Sequence, residues 1–216
     1  MMHKDTAYLC IDASAAQPSV GILKAGRWLS LHSFRAQALE SIFAGTQQCL
    51  QDAGLSLQAI RGFIHCEGPG SVLGVRLSAM AIQSWRALPH WHNTEVRTYQ
   101  SLQLVKAILM QQSPAHAPFH IISEARKDAW NYLSSNAETI QVISQAALDQ
   151  LTGKVYHYRQ RTASHQTPAT AVPFSLNRSL YADLFYRETI TSLQDEPTQF
   201  AAVTKPYKKW SNTRHR

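Results

Sequence analysis

Charged residues are scarce in this sequence. They make up only 16% of its 216 residues, against about 25% in an ordinary soluble domain. Apolar residues reach 44%, which is typical of a chain that folds around a core and excludes an intrinsically disordered protein. Because protein–protein interfaces are depleted in charge, we expect part of the surface to be covered by a partner.

Long apolar runs, cysteine clusters and targeting signals are also missing. No apolar run approaches the ~18 residues of a membrane helix, and residues 1–6 show no signal or transit peptide. The three cysteines, Cys10, Cys49 and Cys66, lack metal-ligand spacing and sit in apolar stretches, so we expect buried, reduced thiols. Secreted disulfide scaffolds, zinc ribbons, collagen and coiled coils are excluded. The sequence predicts a soluble cytoplasmic protein without membrane contact.

The positive charge is concentrated at the C-terminus. The formal net charge is +7, and residues 205–216 hold five basic residues and no acidic one. With Tyr207 and Trp210 among them, these residues could hold phosphates and stack on bases. A solvated, frayed terminus is the more ordinary explanation, since short basic ends are common. Nucleic-acid contact by this basic tail therefore stays an open hypothesis.

Hydrophobic patterning predicts an ordered series of elements in the first half. They are strands at 7–12, 19–23 and 28–34, a helix at 36–53, a strand at 60–66 and a helix at 73–88. The core-facing stripe predicted for the first helix includes Leu39 and Phe43. A meander followed by helix, strand and helix is the order that opens the actin, Hsp70 and sugar-kinase superfamily. The predicted fold class is therefore α/β and actin-like, with two small subdomains of mixed sheets flanked by helices.

The second half has a weaker pattern. We expect a helix at 101–110, strands at 119–122, 129–133 and 139–143, a short helix at 144–151, a loop at 157–173 and a helix from Asn177 to about Leu193. A boundary near residue 98 divides the chain into an N-terminal subdomain at 1–98, a smaller divergent subdomain at 99–204 and the tail at 205–216.

The two N-terminal helices carry few charges. Helix 36–53 contains only Glu40 and Asp52, and helix 73–88 contains only two arginines. A helix with a solvent-facing side usually carries more charge. We therefore predict a helical protein–protein interface, the alternative being that both helices are buried within one domain. The residues assigned to this interface are Ser41, Ala44, Gly45, Gln48, Ser78, Ala79 and Ile82.

A short polar turn follows the first strand. Nucleotide-binding members of the actin-like superfamily carry Asp-x-Gly at this turn, where the glycine lets the backbone approach phosphates. Here the turn consists of Asp12, Ala13 and Ser14. Asp12 is therefore either a strand-end carboxylate that caps a turn or part of a degenerate phosphate turn that includes Ser14.

The most specific motif lies between the fourth strand and the second long helix. It consists of Gly68, Pro69, Gly70, Ser71, Gly74 and Arg76. Its first three residues predict a tight turn, and Ser71 predicts a helix N-cap. Gly74 permits a close helix contact, and Arg76 is available for an ion pair. The amides at the helix start could bind an anion, although a purely structural elbow explains the motif as well.

Patterns that indicate catalysis or metal binding are missing. His90 and His92 have no third ligand at a suitable spacing. The chain has no His-Glu-x-x-His pattern, no Gly-x-Ser-x-Gly elbow and no carboxylate pair suited to acid–base chemistry. We therefore assign no catalytic residue and no metal site.

Three motifs together resemble the bacterial TsaB (YeaZ) family. Residues 11–14 resemble its I-D-T-S start, residues 68–76 its G-P-G-S-F-T-G-x-R stretch, and residues 124–128 its D-A-R-x-(G/D) segment. The resemblance extends from residue 7 to about residue 133.

The chain also departs from the family pattern. Gln37 and Ala38 stand in place of a His-Ser pair, Glu124 replaces the aspartate of the third motif, and Ala129 replaces a glutamate. These differences indicate a divergent member.

The resemblance implies a scaffold rather than an enzyme. Members of the family are non-catalytic subunits in the synthesis of tRNA N6-threonylcarbamoyladenosine. They bind the catalytic paralogue TsaD through their two N-terminal helices, self-associate through the same surface, and are joined by the ATPase TsaE. The implied partners are therefore a TsaD-like paralogue, a TsaE-like ATPase and a second copy of the chain. No tightly bound cofactor is expected, and ATP is expected only at the interface with the catalytic partner.

Two other functions stay open. One is an actin-like small-molecule kinase or ATPase that uses Asp12 and the 68–71 turn around ATP. The other is a tRNA-binding accessory protein that acts through its tail.

Overall fold

The structure is a computed structural model that describes residues 2, 5–35, 37–112, 118–126, 128–160, 167–187 and 189–193. The basic tail lies outside these residues. The described strands are β1 (Ala7–Asp12), β2 (Ser19–Lys24), β3 (Arg27–Ser33), β4 (Ile60–Cys66), β5 (Glu95–Tyr99), β6 (Phe119–Arg126), β7 (Ala129–Ser134), β8 (Gln141–Ser144), β9 (Lys154–Tyr158), β10 (Ala171–Phe174) and β11 (Ser192–Leu193). The α-helices are α1 (Ala38–Asp52), α2 (Val72–Arg86), α3 (Ser101–Gln112) and α4 (Gln145–Asp149).

The first sheet contains the N-terminal meander. Its strand order is β11-β5-β4-β1-β2-β3. Strands β1 to β3 are antiparallel, whereas β4 and β5 run parallel to β1. Helix α1 connects β3 to β4, and α2 connects β4 to β5. The strand–helix order predicted for this half is confirmed, and β5 is an additional strand that the hydrophobic pattern did not indicate.

The second sheet repeats the connectivity of the first. Its order is β10-β9-β6-β7-β8, in which β6 to β8 form an antiparallel meander and β9 and β10 are added parallel to β6. The predicted α/β class with two mixed sheets is therefore confirmed. The internal repeat is one of topology, which the sequence itself does not show.

Both faces of the first sheet are covered. Successive side chains of a strand point to opposite faces, so Leu9 and Ile11 pack with α1 and α2, whereas Tyr8 and Cys10 face the other side. That second side is covered by α3 and by residues 175–187 and 189–193, which we call the strap. None of the helices in the described part of the chain is long and apolar enough to cross a bilayer.

Two predictions for the second half are wrong. Strands β9 and β10 overlap the region predicted as a loop. The helix predicted from Asn177 to Leu193 is replaced by two 3-10 turns, Arg178–Leu180 and Ala182–Tyr186, and by β11. The physical reason is that Leu184 and Phe185 pack onto the first sheet, and this contact holds the segment against the sheet without helical periodicity.

The chain crosses between the two sheets more than once. The predicted boundary after residue 98 falls within β5, and β11 returns the chain to the first sheet by pairing with β5. Residues 1–98 therefore do not complete the first sheet by themselves.

Candidate functional site

Asp12 ends β1 and is buried, with 1% of its surface exposed. Its Oδ1 accepts hydrogen bonds from the Ser14 backbone N (2.9 Å) and Oγ (2.6 Å). Its Oδ2 accepts from the Tyr99 hydroxyl (2.7 Å) and from the Arg178 guanidinium. Burial alone would raise the pKa of Asp12, but Arg178 and these hydrogen bonds lower it below its ordinary value. Asp12 is thus an ionised carboxylate whose two oxygens both have donors.

The 68–71 loop packs directly on the Asp12 turn. The Ser71 backbone N donates to the Ser14 carbonyl oxygen at 2.6 Å. A Cβ at Gly70 would lie 2.2 Å from that same oxygen. The glycine at position 70 is therefore required by a close approach of two backbone segments within the chain.

The start of α2 is capped as predicted. The Ser71 Oγ accepts a hydrogen bond from the Gly74 backbone N at 3.1 Å, and the Val75 N donates to the Ser71 carbonyl oxygen at 2.9 Å. The amides of Ser71, Gly74 and Val75 thus already have acceptors within the chain, as expected of a structural elbow. Anion binding at this helix start stays a prediction. Arg76 lies exposed one turn further along α2.

Gln160, just beyond β9, joins the second sheet to both segments. Its carbonyl oxygen accepts from the Ala16 backbone N at 2.7 Å, and its Nε2 donates to the Pro69 carbonyl oxygen at 2.6 Å. Its own backbone N donates to Glu124 Oε2 at 3.1 Å. Sequence reasoning missed Gln160, because a polar residue in a predicted loop gives no signal of its contacts.

Glu124 belongs to a buried pair in the second sheet. Its Oε1 lies 3.4 Å from His157 Nε2, and neither side chain is exposed. Burial would raise the pKa of Glu124, but the contacts with His157 and with the Gln160 backbone lower it. The glutamate of the third family-like motif therefore anchors the residue that bridges the two sheets.

A cavity of about 350 Å³ lies beside the Asp12 turn. We call it the cleft. Its walls come from the β1–β2 loop, the end of β9 and the strap, and they include Ala16, Arg159, Gln160 and Arg178.

The α1–α2 interface residues predicted from the sequence fall into two groups. Ala44 and Gln48 are exposed. The buried ones are Ser41, Gly45, Ser78, Ala79 and Ile82. A Cβ at Gly45 would lie 2.6 Å from the Phe34 ring. These five residues pack inside the chain and are not available to a partner, which corrects the predicted list, whereas the interface itself stays a prediction.

Both helices expose large apolar side chains. Leu39 and Phe43 on α1 are 50% and 47% exposed, and Leu73 and Met80 on α2 are 67% and 59% exposed. We call these four residues and Ala44 the α1–α2 face. The prediction that Leu39 and Phe43 face the core was wrong, because the buried stripe of α1 is centred on Ile42, Thr46 and Cys49.

An apolar groove of about 320 Å³ borders this face. It lies between the C-terminal half of α1 and Trp85 of α2, and it includes Phe43 and Leu50. The Phe43 and Trp85 rings meet edge-on at 5.7 Å between centroids, so the groove and the face are continuous through Phe43.

The remaining candidate groups have structural partners. Among the residues the structure describes, no three His, Cys, Asp or Glu side chains are grouped as metal ligands. His90 Nε2 lies 2.9 Å from the Gln58 carbonyl oxygen. Cys10, Cys49 and Cys66 are buried and free, as expected.

No protein-family model and no curated protein sequence matches the chain. Solved structures do match. YeaZ from Pseudomonas aeruginosa is 20% identical over 64% of each chain, with a TM-score of 0.50. A protein described as similar to the peptidase YeaZ from Pseudomonas aeruginosa is 18% identical over 71% of this chain and 75% of its own, with a TM-score of 0.55. The first match thus spans less than two thirds of that YeaZ chain. This chain has the actin-like α/β fold of YeaZ, in agreement with the resemblance of its motifs to the TsaB (YeaZ) family.

Proposed function

We propose that the chain is a non-catalytic partner subunit in tRNA N6-threonylcarbamoyladenosine synthesis, where it binds a TsaD-like catalytic paralogue. The α1–α2 face carries this proposal. On this face, about half or more of the surface of each large apolar side chain is exposed to solvent, namely Leu39, Phe43, Leu73 and Met80. Exposed apolar side chains that form one contiguous patch mark protein interaction sites. The family resemblance implies docking through the same two helices.

The geometry of the Asp12 turn supports a non-catalytic role. A kinase of this fold needs a carboxylate available to Mg²⁺ and a turn whose backbone can approach phosphates. Asp12 is instead engaged by Arg178, and the Ser14 carbonyl oxygen accepts from Ser71 N. These residues do not fit Mg-ATP. Calorimetry with millimolar ATP should give no binding heat from the chain alone, and measurable binding would favour the kinase.

The other proposed contacts follow from the same assignment. A TsaE-like ATPase would join the complex, ATP would bind only where the catalytic partner completes its site, and a homodimer would use the α1–α2 face when the partner is absent.

If the basic tail contacts tRNA, deleting residues 205–216 should weaken tRNA binding and flatten its dependence on salt. If the deletion changes neither quantity, the tail has no such role.

The central experiment measures binding of the TsaD-like paralogue from the same organism. We would compare the wild type with Phe43→Glu and Met80→Glu, because a charge at the centre of an apolar interface is strongly unfavourable. Val142→Glu is the matched control. Val142 on β8 is 59% exposed, the same as Met80, but lies on the second sheet. Alanine positions buried in α2, such as Ala79, are unsuitable because an added charge there would test folding.

Light scattering of the purified mixtures gives the result. We expect a heterocomplex with the wild type and with Val142→Glu, and about 100-fold weaker binding or more with the two helix variants. A complex that all variants form equally would remove the interface from the α1–α2 face. If the folded wild type forms no complex with the paralogue, the proposed function is wrong.

A further inference from the structure

The strap leaves the second sheet after β10 and crosses the first sheet. Its last strand, β11, pairs with β5, with Ser192 opposite Thr98. Its Phe185 ring packs against the rings of Trp28 at 5.4 Å and Tyr99 at 5.1 Å. The strap therefore connects the two sheets by chain continuity and by packing.

Arg178 is the point where the strap enters the cleft. Its guanidinium contacts Asp12 Oδ2 on β1, and its Nη2 lies 3.4 Å from the Tyr158 hydroxyl on β9. Its carbonyl oxygen accepts from Trp28 Nε1 at 2.9 Å. The side chain is 12% exposed. One residue thus contacts the end of β1 in the first sheet, the end of β9 in the second, and β3.

The positive charge of Arg178 compensates the buried Asp12 carboxylate. A buried carboxylate is costly unless a positive charge and hydrogen-bond donors compensate it. Tyr99 and Ser14 donate to Asp12 but carry no positive charge. Among the described residues, Arg178 is the one that forms an ion pair with Asp12.

We propose that Arg178 is an internal ligand of the cleft. Its guanidinium binds Asp12 in place of an external cation and locks the strap, and with it the two sheets, in one arrangement. The chain has an actin-like fold but a turn that does not fit Mg-ATP, and Arg178 explains this because it binds the carboxylate that a metal ion would need. The proposal goes beyond the proposed function, because it concerns the isolated chain and does not require any partner.

Gln160 also bridges the two sheets, but in a different way. It does so through neutral hydrogen bonds to Ala16 and Pro69, and these bonds do not involve the Asp12 carboxylate. A test of the lock must therefore depend on the positive charge at Arg178 and on the strap itself.

The test is hydrogen–deuterium exchange of the full chain with Arg178→Ala. We expect the strap amides at 182–187 and 189–193 to exchange at least about tenfold faster, because their docking loses its charged anchor. Amides of the β7–β8 hairpin should keep the wild-type rate. Millimolar methylguanidinium, which can enter the vacated space beside Asp12, should slow strap exchange in the variant and leave the wild type unchanged.

Arg187→Ala is the matched control. Arg187 lies on the same strap, but its side chain is 49% exposed and pairs with Asp183 one turn away. Its removal should leave strap exchange within about twofold of the wild type, because exposed pairs contribute little.

Several outcomes would overturn the lock. One is unchanged strap exchange in folded Arg178→Ala, and another is faster exchange that methylguanidinium does not slow. If Arg178→Ala does not fold, the double variant Asp12→Asn with Arg178→Met removes both charges and avoids an uncompensated carboxylate. Faster strap exchange in that folded double variant supports the lock, and wild-type exchange overturns it.

Discussion

The Ala13 carbonyl oxygen lies where a side chain at Gly74 would begin. A Cβ built on Gly74 would stand 1.8 Å from that oxygen. Helix α2 therefore rests directly on the turn after β1. In an actin-like enzyme, this loop after β1 would bind phosphates. In this chain it packs against the start of α2, whose exposed side belongs to the α1–α2 face.

Replacing Gly74 with alanine should displace α2 or strain the turn. We expect Gly74→Ala to lower the free energy of unfolding by about 3 kcal/mol, the upper range for overpacking a close contact. Urea unfolding followed by circular dichroism measures this loss. Gly54→Ala is the control, since Gly54 has a φ of +62° but no atom within 4 Å of a built Cβ. It should cost about 1 kcal/mol for the left-handed backbone alone. Equal losses in the two variants would mean that the contact with Ala13 is unimportant.

Removing the N-cap of α2 should have a smaller effect. Ser71→Ala leaves the Gly74 N without its 3.1 Å acceptor, and we expect a loss of about 1 kcal/mol in the free energy of unfolding. Ser84→Ala on the same helix removes an exposed hydroxyl that bonds the Met80 carbonyl oxygen, and it should change stability by less than about 0.5 kcal/mol. A Ser71→Ala variant as stable as Ser84→Ala would contradict the capping role.

Local signals allowed much of the first sheet to be predicted. Short apolar runs and alternating apolar residues indicated β1 to β4. The glycine–proline–glycine sequence indicated the turn, and Ser71 indicated the cap. These features depend on neighbours in sequence, which is why one sequence is enough to find them. The helix faces were harder, because Leu39 and Phe43 are apolar but exposed. An apolar stripe that meets a partner has the same pattern as one that meets the core.

The cleft could not be predicted from local pattern. Arg178 and Asp12 are 166 residues apart, and no periodicity connects an arginine in a polar stretch to a strand-end aspartate. Gln160 is likewise placed by the repeated strand order of the second sheet, which the sequence does not show. The sequence indicated that the turn after Asp12 lacks the glycine of a phosphate turn. The structure adds that the Asp12 carboxylate forms an ion pair with Arg178.

The three cysteines should be inert to thiol reagents in the folded chain. Burial raises the pKa values of Cys10, Cys49 and Cys66, and nearby aspartates raise them further. The reactive thiolate is therefore scarce and shielded. We expect labelling by Ellman's reagent to occur only as fast as the chain opens, and all three thiols to react at once in urea. Rapid labelling of any thiol without denaturant would show that it is accessible in the folded state.

His65 should make stability depend on pH. The side chain lies on β4 with 1% of its surface exposed, and burial lowers its pKa from 6.5 to about 4. Between these two values the unfolded chain binds a proton that the folded chain does not bind. The free energy of unfolding should therefore fall as the pH falls through this window, by about 3 kcal/mol in total at about 1.4 kcal/mol per pH unit.

The pH window distinguishes His65 from Asp12. Burial opposes ionisation of Asp12, but Arg178, Ser14 and Tyr99 lower its pKa below 3.8, so its stabilising contribution is lost only at more acidic pH. The free energy of unfolding in urea, measured from above pH 6.5 down to pH 4, should thus report mainly the protonation of histidine. We expect His65→Gln to flatten the curve relative to the wild type, and the exposed control His90→Gln to keep the wild-type slope. If His65→Gln keeps that slope as well, the buried imidazole is not the source of the pH dependence.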